Sequence, residues 1–450
     1  MDITEKMEVE LAVTRLALGG KGVARLDGLV FFVDGGLPGA TVLARVEKVK
    51  KGFAEARVIE TLTPSPQAVT PQCPHFGVCG GCVWQDLDYE AQLFWKREQV
   101  AETLARLGGL PDVPVADAVP SPEVYGYRNK MEFAFAGRLH LGLRERRNPA
   151  RVLDIDTCPL MAPWAAEMVG AVRELCRETG LAAYDPRTGK GVWRHLVLRD
   201  SRHDGSRLVH IITGPSRAAG DAVHTLGKTL LERFPELTGF VHSVRRAPTP
   251  VAHGERQSIV LGRGHLIEQM GRAILRVLPD AFAQTNTGAA QSLYEIVARE
   301  AGSDPAGTAL DLYCGSGGLA LNLAPAFAQV QGLDIDPRSI ESAKASAKLS
   351  EAPNCVFTAA DAADALNDLA GDPPAVVVLD PPRAGAAPEV VAAILRAAPR
   401  RVVYVSCNPA TLARDLKRLA EAYDVTSVAP VDLFPHTAHI EAVASLTLRG

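Results

Sequence analysis

The stretch Thr308-Ala309-Leu310-Asp311-Leu312-Tyr313-Cys314-Gly315-Ser316-Gly317-Gly318 decides the fold of the C-terminal part of this chain. An apolar strand, Thr308 to Leu310, runs into a Gly-rich turn that opens a helix. Glycines there let the backbone approach a ligand and let the helix pack close to the sheet. After Phe282 the alternation continues, with strand-like runs at Val330 to Leu333, Cys355 to Thr358, Ala375 to Leu379 and Arg401 to Val405. Helical segments between them predict a doubly wound parallel sheet. Its ligands belong at the carboxyl ends of the strands. Asp336-Pro337 reads as a helix start, the acid as cap and the proline in the first turn.

Four of these strands lead into an acid: Asp311, Asp334, Asp361 and Asp380. Any one could merely cap a helix, but that reading explains all four poorly. Asp334 stands where a carboxylate reaches ribose hydroxyls, yet the turn lacks the GxGxxG frame of a dinucleotide site. A cationic sulfonium without phosphates favours carboxylates. The pattern looks like the S-adenosylmethionine site of a class I methyltransferase.

Two turns carry the chemistry: Asp380-Pro381-Pro382-Arg383 and Ser406-Cys407-Asn408-Pro409, each just after a Val-rich strand. Cys407 holds a nucleophile's position, exposed at a strand end beside an acid. Pyrimidine C5 is too weak a nucleophile to take a methyl group unaided. A thiolate added across C6 turns C5 into an enolate-like carbon nucleophile. A base must then remove the C5 proton, and Glu441 is the candidate. It enters the apolar final strand Ala442 to Leu448, where desolvation raises a carboxylate's basicity. The alternatives are a buried structural thiol and an ordinary strand-edge acid.

Upstream, four segments are expected. Residues 1–63 alternate apolar and polar between Gly-rich turns, predicting a small β-barrel of about five strands. Residues 64–125 hold a cysteine loop, a helix over Asp88 to Leu107 with Leu93, Phe94, Val100, Leu104 and Leu107 on one side, and a linker. Residues 126–276 form a mixed α+β unit, and 277–450 the α/β domain. The middle unit carries 24 Lys and Arg against 15 Asp and Glu, while both flanks are acidic. Its Arg144, Arg146, Arg147, Arg151, Arg194, Arg199, Arg202 and Arg207 make a phosphate backbone a plausible partner. No apolar run reaches membrane length, and acids at Asp2, Glu5, Glu8 and Glu10 are unlike a signal peptide, so a cytoplasmic protein with no membrane partner is expected.

Eight cysteines in 450 residues are too few for a disulfide scaffold. Cys73, Cys79 and Cys82 converge from one loop, and Cys158 is the best fourth ligand. Four thiolates suit tetrahedral zinc or an iron-sulfur cluster, and the spacing leans towards the cluster.

Taken together, the chain resembles the bacterial RNA uracil-5-methyltransferases, in particular the ribosomal-RNA branch with a TRAM domain and an iron-sulfur cluster. The likeness rests on Gly20-x-Gly22-Val23-Ala24-Arg25, the Cys73 to Cys82 run, Tyr127-Arg128-Asn129-Lys130, Phe282-x-Gln284-x-Asn286, Asp311 to Gly315, the two turns, and His436-x-x-His439-x-Glu441. It implies Cys407 as nucleophile and Glu441 as proton acceptor. Gln284, Tyr313, Gly318, Asp334, Asp361 and Asp380 would contact S-adenosylmethionine, and Cys73, Cys79, Cys82 and Cys158 would hold a 4Fe-4S cluster. It further implies a flipped uridine in folded RNA, with 23S ribosomal RNA as substrate and transfer RNA as the alternative, bound by a monomer with Arg128 and Lys130 facing the RNA. By the same likeness, the Asp88 to Leu107 helix packs on the methyltransferase domain. An amino-group methyltransferase has no use for Cys407, whereas a non-catalytic RNA-binding iron-sulfur protein is the rival of another class.

Overall fold

A computed structural model describes residues 3–249, 251–368 and 373–450. The N-terminal strands β1 (Glu8–Leu16), β2 (Gly22–Leu26), β3 (Leu29–Asp34), β4 (Thr41–Lys50) and β5 (Phe53–Thr63) close into a barrel in the order β1-β2-β3-β5-β4. Alternation does the work. Val9, Leu11 and Val13 turn inward to a core with Phe31, Val33 and Val42, while Glu8 and Glu10 face water.

Helix α1 (Tyr89–Thr103) follows the cysteine loop, capped by Asp88, and runs on through a π turn at Leu104–Gly108. Leu93, Val100 and Leu104 are buried as expected, and Val100 and Leu104 join the core of the C-terminal domain. The helix therefore packs on the methyltransferase sheet. Phe94 and Leu107, read from the sequence as part of the same face, are 49% and 56% exposed. The remaining inward face is polar instead: Gln92, Lys96, Gln99 and Thr103 are buried one above another at helical spacing. Gln92 and Lys96 meet polar backbone, as described below, while Thr103 Oγ1 donates to the Gln99 carbonyl within the helix.

The middle unit contains β6 (Lys130–Ala136), β7 (His140–Arg144), β8 (Val152–Asp154), α2 (Trp164–Glu178), β9 (Trp193–Asp200), β10 (Arg207–Thr213), α3 (Ala219–Arg233), β11 (Leu237–Val244) and β12 (Arg256–Gly262). Its seven strands run in the order β12-β11-β10-β9-β6-β7-β8, and α2 and α3 bury their apolar stripes against Met131, Phe133, Leu196, Leu198, Val209 and Ile211. The arginines here divide. Arg194 and Arg199 are buried, their guanidiniums bonded to the carbonyls of Arg245, Ala247 and Thr249 and of Pro279 and Ala281 respectively. These two brace loops rather than meet phosphate, a correction to the sequence reading. Arg146 and Arg147 pair with Asp34 of the barrel.

A hairpin of β13 (Leu266–Met270) and β14 (Ala273–Val277) shares a core with the last domain. That domain comprises α4 (Thr287–Ala301), β15 (Asp304–Leu312), α5 (Gly318–Leu323), β16 (Phe327–Asp334), α6 (Pro337–Leu349), β17 (Cys355–Ala359), α7 (Ala362–Asp368), β18 (Val376–Leu379), α8 (Pro388–Ala397), β19 (Arg401–Ser406), α9 (Pro409–Leu419), β20 (Tyr423–Val431) and β21 (Glu441–Leu448). The sheet order is β17-β16-β15-β18-β19-β21-β20, parallel except for β21, which runs antiparallel to β19 and β20. The order reverses beside β15, the switch point where such sheets bind ligands. Among the described residues, no helix is long and apolar enough to cross a membrane.

Candidate active site

At the carboxyl ends of β15 to β18 lies a cleft of about 850 Å³ whose walls include Tyr313, Asp334, Ile335, Asp361 and Pro382. Tyr313 turns the chain out of β15 with φ +65°, a left-handed conformation that is rare outside glycine. Asp334 accepts the Gly315 N–H at 3.0 Å and the Asp336 N–H at 2.8 Å, which ties the Gly-rich turn to the second strand. Asp361 caps α7 through the Ala363 N–H at 2.8 Å. Ile335 is 77% exposed beside these acids.

Gln284, Gly318 and Asp380 are not among the cleft's wall residues. Gln284 is buried, its carbonyl accepting the Asn129 amide at 3.0 Å. A Cβ at Gly318 would stand 2.6 Å from the Tyr294 hydroxyl, so close helix packing alone demands the glycine. Asp311 is fully enclosed and accepts the Ala320 N–H at 2.9 Å; burial raises its pKa well above the carboxylate range.

The two reactive turns form one unit. Asn408 caps α9 through the Ala410 N–H at 3.1 Å, while its amide donates to the Arg383 carbonyl at 3.0 Å. Ser406 pairs with Ala442, and Glu441 is the next residue of β21, so the register brings Cys407 opposite Glu441 at the sheet's end. Asp380 leaves the neighbouring strand β18. Burial pushes the Cys407 thiol up to about 11; the charges of Glu441 and Asp380 add to this, and Arg383 opposes it. Glu441 is buried, and its pKa is raised well above its ordinary value by burial and by Asp380, again against Arg383. Asp380 is raised by burial to about 7. Burial thus favours the protonated form of all three groups, and Arg383 works against it at Cys407 and Glu441.

Sequence reasoning missed what Arg383 touches. Its guanidinium lies 3.0 Å from His439 Nδ1. Burial and the guanidinium lower the pKa of His439 to about 4, so the ring is neutral and can accept that bond. The spacing of His439 two residues before Glu441 was the available signal.

Cys73, Cys79, Cys82 and Cys158 line a second cavity of about 460 Å³ together with Gln85, Arg128, Lys130 and Phe282. Gln85 Nε2 donates to Cys82 Sγ at 3.3 Å and the Gly81 N–H to Cys79 Sγ at 3.4 Å. Among the described residues, no group of three or more His, Cys, Asp or Glu side chains has the geometry to hold a metal ion. Arg128 and Lys130 thus border the cysteines, with Lys130 paired to Glu132 at 2.6 Å.

A parallel sheet with a reversed last strand, and a cleft at its switch point, define a class I methyltransferase fold. Residues 250–449 match the family model of tRNA (Uracil-5-)-methyltransferase, and residues 4–59 match the TRAM domain. A relative from Nitratidesulfovibrio vulgaris, named as an uncharacterized RNA methyltransferase, is 42% identical, covering 98% of this chain and 96% of its own length. Another from Gloeobacter violaceus, similarly named, is 38% identical, with 97% and 96% covered. The crystal structure of Pyrococcus abyssi tRNA (uracil-54, C5)-methyltransferase in complex with S-adenosyl-L-homocysteine superposes with a TM-score of 0.79 at 28% identity, covering 98% of this chain and all of that one. The chain belongs to the RNA uracil-5-methyltransferase family, as its motifs led one to expect.

Proposed function

We propose that this enzyme methylates C5 of a uridine in RNA through a covalent bond between Cys407 and C6. The observation that carries the reading is the register that sets Cys407 opposite Glu441, beside Asp380 and Arg383. A thiol pushed up to about 11 is protonated at neutral pH, so Asp380, raised to about 7, takes its proton as sulfur adds to C6, which leaves Glu441 free to act on C5. The C5=C6 electron pair moves towards the C4 carbonyl, giving an enolate whose C5 attacks the methyl group. S-adenosylmethionine, when bound, supplies that methyl as a sulfonium electrophile. Glu441 then removes the C5 proton, the double bond re-forms, and sulfur leaves and recovers a proton. The raised pKa of Glu441 suits this step, since it makes the carboxylate a stronger base.

The cleft fits the methyl donor: it is roomy, acidic at Asp334 and Asp361, and apolar at Ile335 and Pro382. Tyr313 lines it too, while Gln284, Gly318 and Asp380 are assigned to the donor by family likeness. Cys73, Cys79, Cys82 and Cys158, which line one cavity, are the proposed ligands of a 4Fe-4S cluster, which would cross-link two distant segments. Four thiols around one cavity of about 460 Å³, with amide N–H groups on two sulfurs, leave room for a multi-iron core. The substrate proposed is 23S ribosomal RNA. Transfer RNA is the second reading, favoured by the likeness to the Pyrococcus tRNA (uracil-54, C5)-methyltransferase.

RNA carrying 5-fluorouridine tests the chemistry. A covalent adduct lost in Cys407→Ala is expected, and no adduct from the unaltered enzyme would refute the mechanism. Mapping 5-methyluridine in ribosomal and transfer RNA from a strain lacking the protein decides the substrate.

A further inference from the structure

Residues 432–440 deliver Glu441 to the site, yet several of their polar anchors lie far away in sequence. Gln92 of α1 is fully buried and holds two segments at once. Its Oε1 accepts the His436 N–H at 2.8 Å, while Nε2 lies 3.2 Å from His436 Nδ1, 3.0 Å from the Trp84 carbonyl and 2.8 Å from that of Leu87. One turn on, the buried Lys96 ammonium sits 2.6 Å from Asp432 Oδ1 and 3.1 Å from the Phe434 carbonyl. The Val83 and Trp84 N–H groups both donate to the His436 carbonyl, and the Tyr127 hydroxyl to that of Pro435.

This many contacts fix one awkward residue. His436 has φ +68°, a conformation that costs free energy unless its surroundings over-determine it. Beyond it, Thr437 Oγ1 accepts the His439 N–H at 3.2 Å, and His439 in turn takes the Arg383 guanidinium. A buried ion pair adds little net stability compared with apolar residues of equal volume, so stability alone is a weak reason for Lys96. Placement is a better one.

We propose that Gln92 and Lys96 are positioning residues for methyl transfer: helix α1 sets the path of residues 432–440 and so aims Glu441 at the C5 proton. The proposal rests on the reading of Glu441 given above. Misplacement by about 1 Å far from the reacting atoms can cost roughly 100-fold in rate.

Because Lys96→Met alone strands a buried carboxylate, the test pairs it with Asp432→Asn, which removes both charges and keeps an acceptor for the Phe434 N–H. Gln92→Met is the second variant. With unmodified RNA and S-adenosylmethionine, we expect kcat to fall about 10- to 100-fold with KM for RNA unchanged. Methylated enzyme–RNA adduct should accumulate on denaturing gels, because proton removal is the step that slows. Wild-type kcat and adduct lifetime in both variants would overturn the proposal. So would variants that lose adduct formation in step with folded structure, which would assign these residues to stability alone. The unaltered enzyme with 5-fluorouridine RNA is the separate control: if it forms no adduct, the reaction itself is misread and the proposal falls with it.

Discussion

The Asn408 side-chain amide donates to the Arg383 carbonyl at 3.0 Å, fastening the turn that bears the thiol to the turn that bears its counter-charge. Asn408→Ser separates the two duties of this residue. Serine caps a helix about as well as asparagine, but it is too short to reach across. Thermal stability should stay within about 1 kcal/mol of the parent, while kcat falls roughly tenfold or more; calorimetry and single-turnover methylation check the pair.

Glu441→Gln should divide the reaction at its last step. Sulfur still adds and the methyl group still transfers, but no base removes the C5 proton. Radiolabelled methyl should therefore appear in a protein–RNA adduct that survives denaturation, with free methylated RNA reduced by about 100-fold or more. Release of product at the parental rate would assign proton removal to another group.

The pH dependence of Cys407 follows from its neighbours. Thiolate forms as pH rises, and Arg383 is the nearby group pulling that transition down against burial, Glu441 and Asp380. Removing the guanidinium in Arg383→Met should move the transition to higher pH. At any pH below it the thiolate fraction then drops, roughly tenfold for each pH unit that the midpoint climbs. Iodoacetamide labelling of the Cys407 peptide across pH, read by mass spectrometry without RNA, measures this directly. An unchanged midpoint would mean that the guanidinium is screened from the sulfur.

Gly318→Ala should destabilise the methyltransferase domain by about 1–3 kcal/mol, because the added methyl meets the Tyr294 hydroxyl at 2.6 Å. Tyr294→Phe removes that oxygen and should recover much of the loss when combined. A double-mutant cycle in urea reads the coupling. Two additive effects would show that the glycine is kept for another reason.

What the sequence disclosed follows from how local each signal was. The strands before Asp380 and Cys407 are short Val-rich runs bounded by turns, and β18 and β19 form there. Asp336 and Pro337 cap α6 as the dipeptide suggested. The helix α1 was legible as a helix, but its facing was not. Phe94 and Leu107 look like core residues until the C-terminal domain is seen to bring polar backbone to Gln92 and Lys96 instead. Arg194 and Arg199 failed in the same way: their partners are carbonyls 51 to 82 residues further along, which no local pattern encodes. The facing of Cys407 and Glu441 is a matter of strand register and appears only once β21 is seen to pair with β19.

The ion pair between Lys96 and Asp432 spans 336 residues of chain, which bears on how the molecule comes into being. While the polypeptide is being made, Lys96 of α1 lacks its counter-charge until nearly all of the sequence has been translated. The earliest helix of the nascent protein thus waits for its last strands. Any premature stop before residue 432 leaves Lys96 without its carboxylate, and the chain is then a target for chaperones and proteases rather than a shortened enzyme.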